Sequence, residues 1–138
     1  MKLFLDTNVL IDFLMMRAPF YEPAAMLVSY ASEKRIEICV SALSIVTANF
    51  ICVEKCKFPK EQFWKRLNFL RAFTSVTPID SDVVDEAADS EWSDFEDSVQ
   101  YHSALGVGVD YIVTRNEADF KDSSIPVVSP DEACLRIL

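Results

Sequence analysis

Asp6 is the first residue whose type and place point to chemistry, because it ends the apolar run Lys2-Leu3-Phe4-Leu5. A carboxylate at the end of a buried strand has to be hydrogen-bonded, protonated or metal-bound, since an unpaired buried charge is expensive. Capping the helix that starts near Asn8 is the simpler alternative. A second acidic group follows at Asp94-Phe95-Glu96-Asp97, where Asp94 and Asp97 stand three residues apart and share a helix face. The helix N-terminus offsets part of their repulsion. Ser93 with Glu96 has capping-box spacing, which occupies Glu96 and leaves Asp97 as the acid without a local structural use. The third set is Thr114-Arg115-Asn116-Glu117-Ala118-Asp119-Phe120, in which Asn116 reads equally as a turn residue and Asp119 as a cap or a solvated acid. Carboxylate and amide oxygens of this kind suit hard divalent cations.

For these residues to meet, the chain must bring three distant segments to one edge. Lys2 to Leu5 reads as a strand, followed by a helix carrying Val9, Leu10, Phe13 and Leu14 and closed by Pro19. A second helix spans about Tyr21 to Glu33. Ile36 to Val40 is a β-branched strand, and Ser41 caps a helix running to about Lys55. Pro59 is placed as the first residue of a helix through about Ala72, and Val76 to Ile79 as a strand. Asp80 or Ser81 caps the next helix, and Ser93 the one through about Leu105, whose end Gly106 and Gly108 mark. Asp110 to Thr114 is a strand, 115–124 a polar loop, and Ile125 to Val128 an edge strand that tolerates Pro126. Ser129-Pro130-Asp131-Glu132 opens a closing helix.

Strands alternating with helices predict a three-layer α/β/α fold around a central, mostly parallel sheet of four to five strands. Ligands of such sheets collect at the carboxyl ends of the strands, which places Asp6 and the loop after Thr114 on one rim.

Size and charge bound the function. The 138 residues make one domain, 1–138, and a composition 51% hydrophobic and 25% charged is that of a globule. No run has the length of a signal peptide or a membrane span, so a cytoplasmic, reducing setting is expected and no membrane partner. Cys39, Cys52, Cys56 and Cys134 are then thiols, and no zinc site is expected, given the missing Cys-x-x-Cys pair and the single His102. That lone histidine also excludes paired acid–base histidines and reads as structural. The net charge of -9 argues against simple coating of nucleic acid. It is unevenly spread: residues 1–79 carry 10 basic and 7 acidic side chains, residues 80–138 carry 3 and 15. Lys55, Lys57, Lys60, Lys65, Arg66 and Arg71, interleaved with Phe58, Phe63 and Trp64, read either as a solvated helix face or as a phosphate-contacting patch.

Together these motifs, in this order, resemble the PIN domain, a nuclease family to which many bacterial toxins of toxin–antitoxin systems belong. Leu5-Asp6-Thr7-Asn8-Val9-Leu10-Ile11-Asp12 is similar to its opening motif, Asp97 with Val99 and Ala104 to its central helix acid, and Thr114-Arg115-Asn116 with Asp119-Phe120 to its late strand-end motif. The resemblance implies Mg²⁺- or Mn²⁺-dependent hydrolysis of RNA phosphodiesters by a metal-activated water. It assigns Asp6, Asp97 and Asn116 to catalysis. Asp6, Asp97, Asp94 and Asp119 become the metal ligands, and Asn8, Thr114, Asn49 and Glu96 support them. Lys55, Lys57, Lys60, Lys65, Arg66 and Arg115 become contacts to RNA. An antitoxin protein and a homodimer are the partners it implies.

The family's helix glutamate is missing between Ser41 and Cys52, where Asn49 is the nearest polar stand-in, and Asn116 stands where many members carry an acid. A PIN-like module that binds RNA or protein with weakened turnover is therefore the rival reading. An aspartyl-phosphate phosphotransferase needs a second acid two residues after the first, and here that residue is Asn8.

Overall fold

The structure is a computed structural model that describes residues 1–137. Five parallel strands form one sheet in the order β3-β2-β1-β4-β5, with β1 at Lys2–Leu5, β2 at Glu37–Ser41, β3 at Thr74–Thr77, β4 at Tyr111–Val113 and β5 at Val127–Val128. Seven α-helices connect and cover them: α1 Thr7–Leu14, α2 Tyr21–Ser32, α3 Ala42–Asn49, α4 Lys60–Arg71, α5 Ser81–Asp89, α6 Phe95–Gly106 and α7 Pro130–Ile137. The expected three-layer α/β/α fold is what forms, its sheet wholly parallel.

Alternation along β1 explains both cores. Leu3 and Leu5 face one side, where Ile38, Val40, Val113 and Val128 join them against α1, α2, α4 and α7; Phe4 faces the other with Cys39 and Ile112, against Tyr101 and Ala104 of α6 and Phe120. Burial on both faces is why the strands read as continuous apolar runs.

Several boundaries differ from expectation for local reasons. β3 lies two residues earlier than Val76 to Ile79 because Pro78 has no N–H for the ladder and ends it. Ser41 closes β2 in extended conformation while its side chain accepts from Ser44 N–H, so one residue finishes the strand and caps α3. The helix expected through Lys55 continues past α3 as a π-helical segment, Phe50–Lys55. Pro59 precedes α4 rather than opening it. Asp94, not Ser93, caps α6, accepting from Asp97 N–H at 3.0 Å. Gly106 is still helical, and it is Gly108, at φ +68°, that takes the left-handed turn. Ser129 caps α7 through Glu132 N–H as expected, but the Glu132 carboxylate turns to Arg136 instead of completing the box.

Candidate active site at the β1–β4 crevice

The chain runs outward from β1 to β2 to β3, then returns to place β4 on the other side of β1. The β1–β4 boundary is thus the point where the connections diverge, the place at which open parallel sheets form their ligand crevice. Asp6 stands there. Its N–H donates to Val113 O at 2.9 Å, extending the ladder by one residue before α1 begins.

Its carboxylate, 6% exposed, is held by four donors. Thr7 N–H donates to Oδ1 at 2.8 Å and Gln100 Nε2 at 3.3 Å; Thr114 Oγ1 donates to Oδ2 at 2.8 Å and Asn8 Nδ2 at 3.3 Å. Burial still outweighs these bonds and pushes the Asp6 carboxyl above its ordinary range, with help from the Asp119 charge. The simple helix-cap reading is therefore true and incomplete: one bond caps α1, and three more, from Asn8, Gln100 and Thr114, fix the orientation of the carboxylate.

Asp97 lies half-buried in the first turn of α6. Desolvation first, then the charges of Asp94, Asp6, Asp119 and Glu96, push its carboxyl up to about 7. Burial, Asp94 and Asp6 raise Glu96 likewise. The capping change matters here, because with Asp94 as the cap the Glu96 side chain is free to join this field. Asp94, Asp97, Asp119 and Asp122 line a small cleft of about 200 Å³ with Trp92, Ser93, Ala118 and Lys121. Asp119 reaches it from a 3-10 turn, Glu117–Phe120, inside the segment expected to be plain loop.

The remaining candidates divide. Asn8 and Thr114 touch Asp6 directly, and Asn8 Oδ1 also accepts from Arg115 N–H at 3.3 Å. Asn116 is exposed, and its backbone N–H donates to Thr114 Oγ1 at 3.1 Å. Asn49 lies at the end of α3, five residues beyond Ser44 and so on another face; Ser44 is the α3 residue that reaches the site. Lys55, Lys57, Lys60 and Lys65 are exposed on a separate surface. Arg66 is committed to structure, donating twice to Phe13 O, at 2.6 and 3.2 Å, with its guanidinium 4.5 Å from the Phe13 ring centre. Arg115 is likewise engaged, pairing with Asp12 at 2.7 Å and lying over the Phe20 ring at 3.8 Å.

Sequence reasoning missed the layer beneath Asp6. Gln100 accepts from Ser41 Oγ and offers its Nε2 to Ser44 Oγ at 2.6 Å and Thr7 Oγ1 at 3.1 Å, and Thr7 and Ser44 share a hydrogen bond of 2.8 Å. The available signal was a glutamine three residues after Asp97, on the same helix face and between Val99 and Tyr101. Asp12, 1% exposed, was the other omission; Arg17 and Arg115 both pair with it. His102 is structural, bonded through Nδ1 to Ser98 O and through Nε2 to Ser90 Oγ. Cys39, Cys52, Cys56 and Cys134 are free thiols.

Among the described residues no three acidic, histidine or cysteine side chains converge into a ready-made metal cage. The donor set nevertheless fits a hard cation in kind. Its donors are oxygens, its carboxyls are raised by burial and mutual repulsion that a cation would offset, and hard ions retain waters in place of missing protein ligands.

A parallel α/β/α sandwich that gathers carboxylates at its switch point belongs to a class suited to phosphate-directed, cation-assisted chemistry. The sequence matches the PIN domain over residues 2–118, and the chain belongs to that family, whose members are nucleases. Comparison with curated proteins finds no match. Solved structures share the fold. A chain of the VapBC2 complex from Rickettsia felis, bound to a promoter DNA fragment, superposes with TM-score 0.68 at 15% identity, covering 94% of this chain and 98% of that one. FitAcB from Neisseria gonorrhoeae gives 0.66 at 16%, covering 93% and 97%. A toxin–antitoxin complex from Klebsiella pneumoniae gives 0.62 at 23%, covering 92% and 96%. Among the described residues no helix is long and apolar enough to cross a membrane.

Proposed function

We propose that the chain is a Mg²⁺- or Mn²⁺-dependent endoribonuclease and the toxin of a cytoplasmic toxin–antitoxin pair. The observation that carries this reading is the meeting of Asp6, from the end of β1, with the charges of Asp97 and Asp119, from α6 and the turn after β4. A divalent ion, when bound, supplies Lewis acidity towards a phosphate and makes water a better nucleophile. Asp6 and Asp97 are the residues to hold it, with Asp94 and Asp119 as further oxygen donors. Thr114, Asn8 and Gln100 keep the Asp6 carboxylate from rotating, and a cation bound there would take the place of the long Asn8 and Gln100 contacts, both at 3.3 Å. Glu96 strengthens the negative field, and Asn116 stands exposed at the rim, where its amide can meet the substrate phosphate. Lys55, Lys57, Lys60 and Lys65 attract the RNA backbone to the other half of the molecule.

The toxin role rests on the family and on neighbours whose structures are toxin–antitoxin complexes. An antitoxin segment carrying an arginine would neutralise the same acidic crevice, and a homodimer is the expected assembly. A binding module with weakened turnover is the second reading, favoured by amides at Asn49 and Asn116 and by the four donors already on Asp6. Purified protein incubated with RNA and Mn²⁺, against the same mixture in EDTA, separates the two. The nuclease reading expects metal-dependent cutting that Asp6→Asn and Asp97→Asn both abolish. Binding without cutting, unchanged by either substitution, sinks it.

A further inference from the structure

We infer that Arg115 is a positioning residue for the Asp6 carboxylate: it grips α1 at two successive turns and so fixes the donors on Asp6 Oδ2. The inference rests on the reading of Asp6 as a residue that holds a divalent cation. Arg115 follows Thr114 directly, where the chain leaves β4. Its backbone N–H donates to Asn8 Oδ1 at 3.3 Å, and its guanidinium forks onto Asp12, Nε to Oδ2 at 2.7 Å and Nη2 to Oδ1 at 3.3 Å. Asn8 and Asp12 stand four residues apart on one face of α1, so a single residue spans a full turn of the helix.

The amide of Asn8 carries the effect inward. With Oδ1 taken by the Arg115 N–H, Nδ2 is turned towards Asp6 Oδ2 and Thr114 Oγ1, each at 3.3 Å. Reversing the amide would set its oxygen against the carboxylate and its NH2 against the Arg115 N–H. Thr114 is constrained in the same way. Its hydroxyl has one proton, and its lone pairs accept from Asn8 Nδ2 and, at 3.1 Å, from Asn116 N–H, so the proton goes to Asp6 Oδ2 at 2.8 Å. Both donors on Oδ2 therefore depend on where the backbone of residues 114–116 lies, and Arg115 fastens that backbone to α1.

The guanidinium is not free to do anything else. Asp12 is 1% exposed, and the Phe20 ring centre lies 3.8 Å from the guanidinium carbon. An RNA phosphate could recruit this fork only by taking it from a buried carboxylate. Arg17 supplies an internal comparison. It binds Asp12 Oδ1 through Nε and Nη2, both at 2.8 Å, but it lies five residues further along the same chain and ties α1 only to its own C-terminal side. The two arginines share a charge and a partner and differ in reach, since only Arg115 also meets Asn8.

The test measures Mn²⁺ binding to the full chain, from the electron paramagnetic resonance signal of the free ion, at a temperature where circular dichroism shows every variant folded. Arg115→Ala should weaken Mn²⁺ binding about 10-fold or more, as removal of outer-layer support to a metal ligand does. Arg17→Ala should bind Mn²⁺ as the native chain does. Arg115→Lys keeps the charge without the fork and should not restore affinity, and it carries the same comparison if Arg115→Ala fails to fold. With RNA as substrate the loss should fall on kcat and leave KM unchanged, because no bond to the substrate is removed. Equal Mn²⁺ affinity in Arg115→Ala and Arg17→Ala overturns the positioning role, and metal-dependent cutting by the native chain then leaves the nuclease reading standing. A raised KM with native Mn²⁺ affinity, restored by Arg115→Lys, also overturns it and makes Arg115 a phosphate contact. Affinity lost in the Arg115 variants alone, in a chain that cuts no RNA, supports the positioning role and overturns the nuclease reading. A native chain that binds no Mn²⁺ overturns both.

Discussion

Gln100 Nε2 lies 2.6 Å from Ser44 Oγ, which ties α6, the helix of Asp97, to α3 directly beneath Asp6. Its two hydrogens face three acceptors, the third being Asp6 Oδ1 at 3.3 Å, so the carboxylate shares the amide with Thr7 and Ser44. Gln100→Leu keeps the volume but removes the partner of buried hydroxyls. The expected loss is about 1–3 kcal/mol, or roughly 3–10 °C in Tm. Calorimetry on the metal-free protein measures it, and an unchanged Tm would mean that the network contributes nothing to stability.

Asp12 pairs with Arg17 at 2.8 Å and with Arg115 at 2.7 Å, and the second pair fastens the loop after β4 to α1. Either arginine alone leaves the buried carboxylate one partner, so Arg17→Ala or Arg115→Ala should each cost about 1–2 kcal/mol. Losing both strands the charge and should cost about 3–5 kcal/mol, more than the two singles together. A double-mutant cycle by urea unfolding gives the coupling, and simple additivity would show that the two pairs act independently. Arg115→Lys should behave nearly as Arg115→Ala, because a lysine lacks the planar fork and the stacking on Phe20.

How far the sequence alone could go is visible in these two clusters. Strand–helix alternation placed Asp6 and the loop after Thr114 on one rim, because parallel strands must be joined by crossovers and their ends then coincide. It could not place Gln100 or Ser44, since a lone polar residue in a helix carries no sign of which buried partner it meets. Asp12 and Arg115 are separated by 103 positions, and only the register of β1 with β4 brings them together. The Ser93 cap failed on a choice between adjacent residues of equal capping ability. Arg66 read as a surface charge because composition cannot distinguish a phosphate ligand from a guanidinium closing over Phe13.

That distinction is measurable. Arg66→Ala should lower stability by about 1–3 kcal/mol, as a partly buried guanidinium and its two bonds to Phe13 O are removed. Lys55→Gln, Lys57→Gln and Lys60→Gln together should leave Tm nearly unchanged, these residues being exposed. If the lysines meet phosphates, the same triple variant binds single-stranded RNA with a salt slope smaller by roughly 0.7 for each phosphate it no longer neutralises. An unaltered slope returns this surface to the role of a solvated face.

The raised carboxyl of Asp97 sets a pH dependence whose sign can be worked out. Its folded value, about 7, lies above the ordinary 3.8, so the native state holds this proton more tightly than the unfolded chain. The resulting stability is fully present below about pH 4, declines as pH rises, and is gone above about 7. Asp6 and Glu96 shift in the same direction. In EDTA, the stability of the native chain relative to Asp97→Asn should therefore fall between pH 5 and pH 7.5, isolating the group from every other titration. A bound divalent cation reverses the preference by favouring the ionised form. The rise in Tm on adding Mg²⁺ should accordingly grow from pH 5.5 to about 7 and then level. A rise independent of pH would place the ion away from Asp97, and a rise identical in Asp97→Asn would remove this residue from the ligand set.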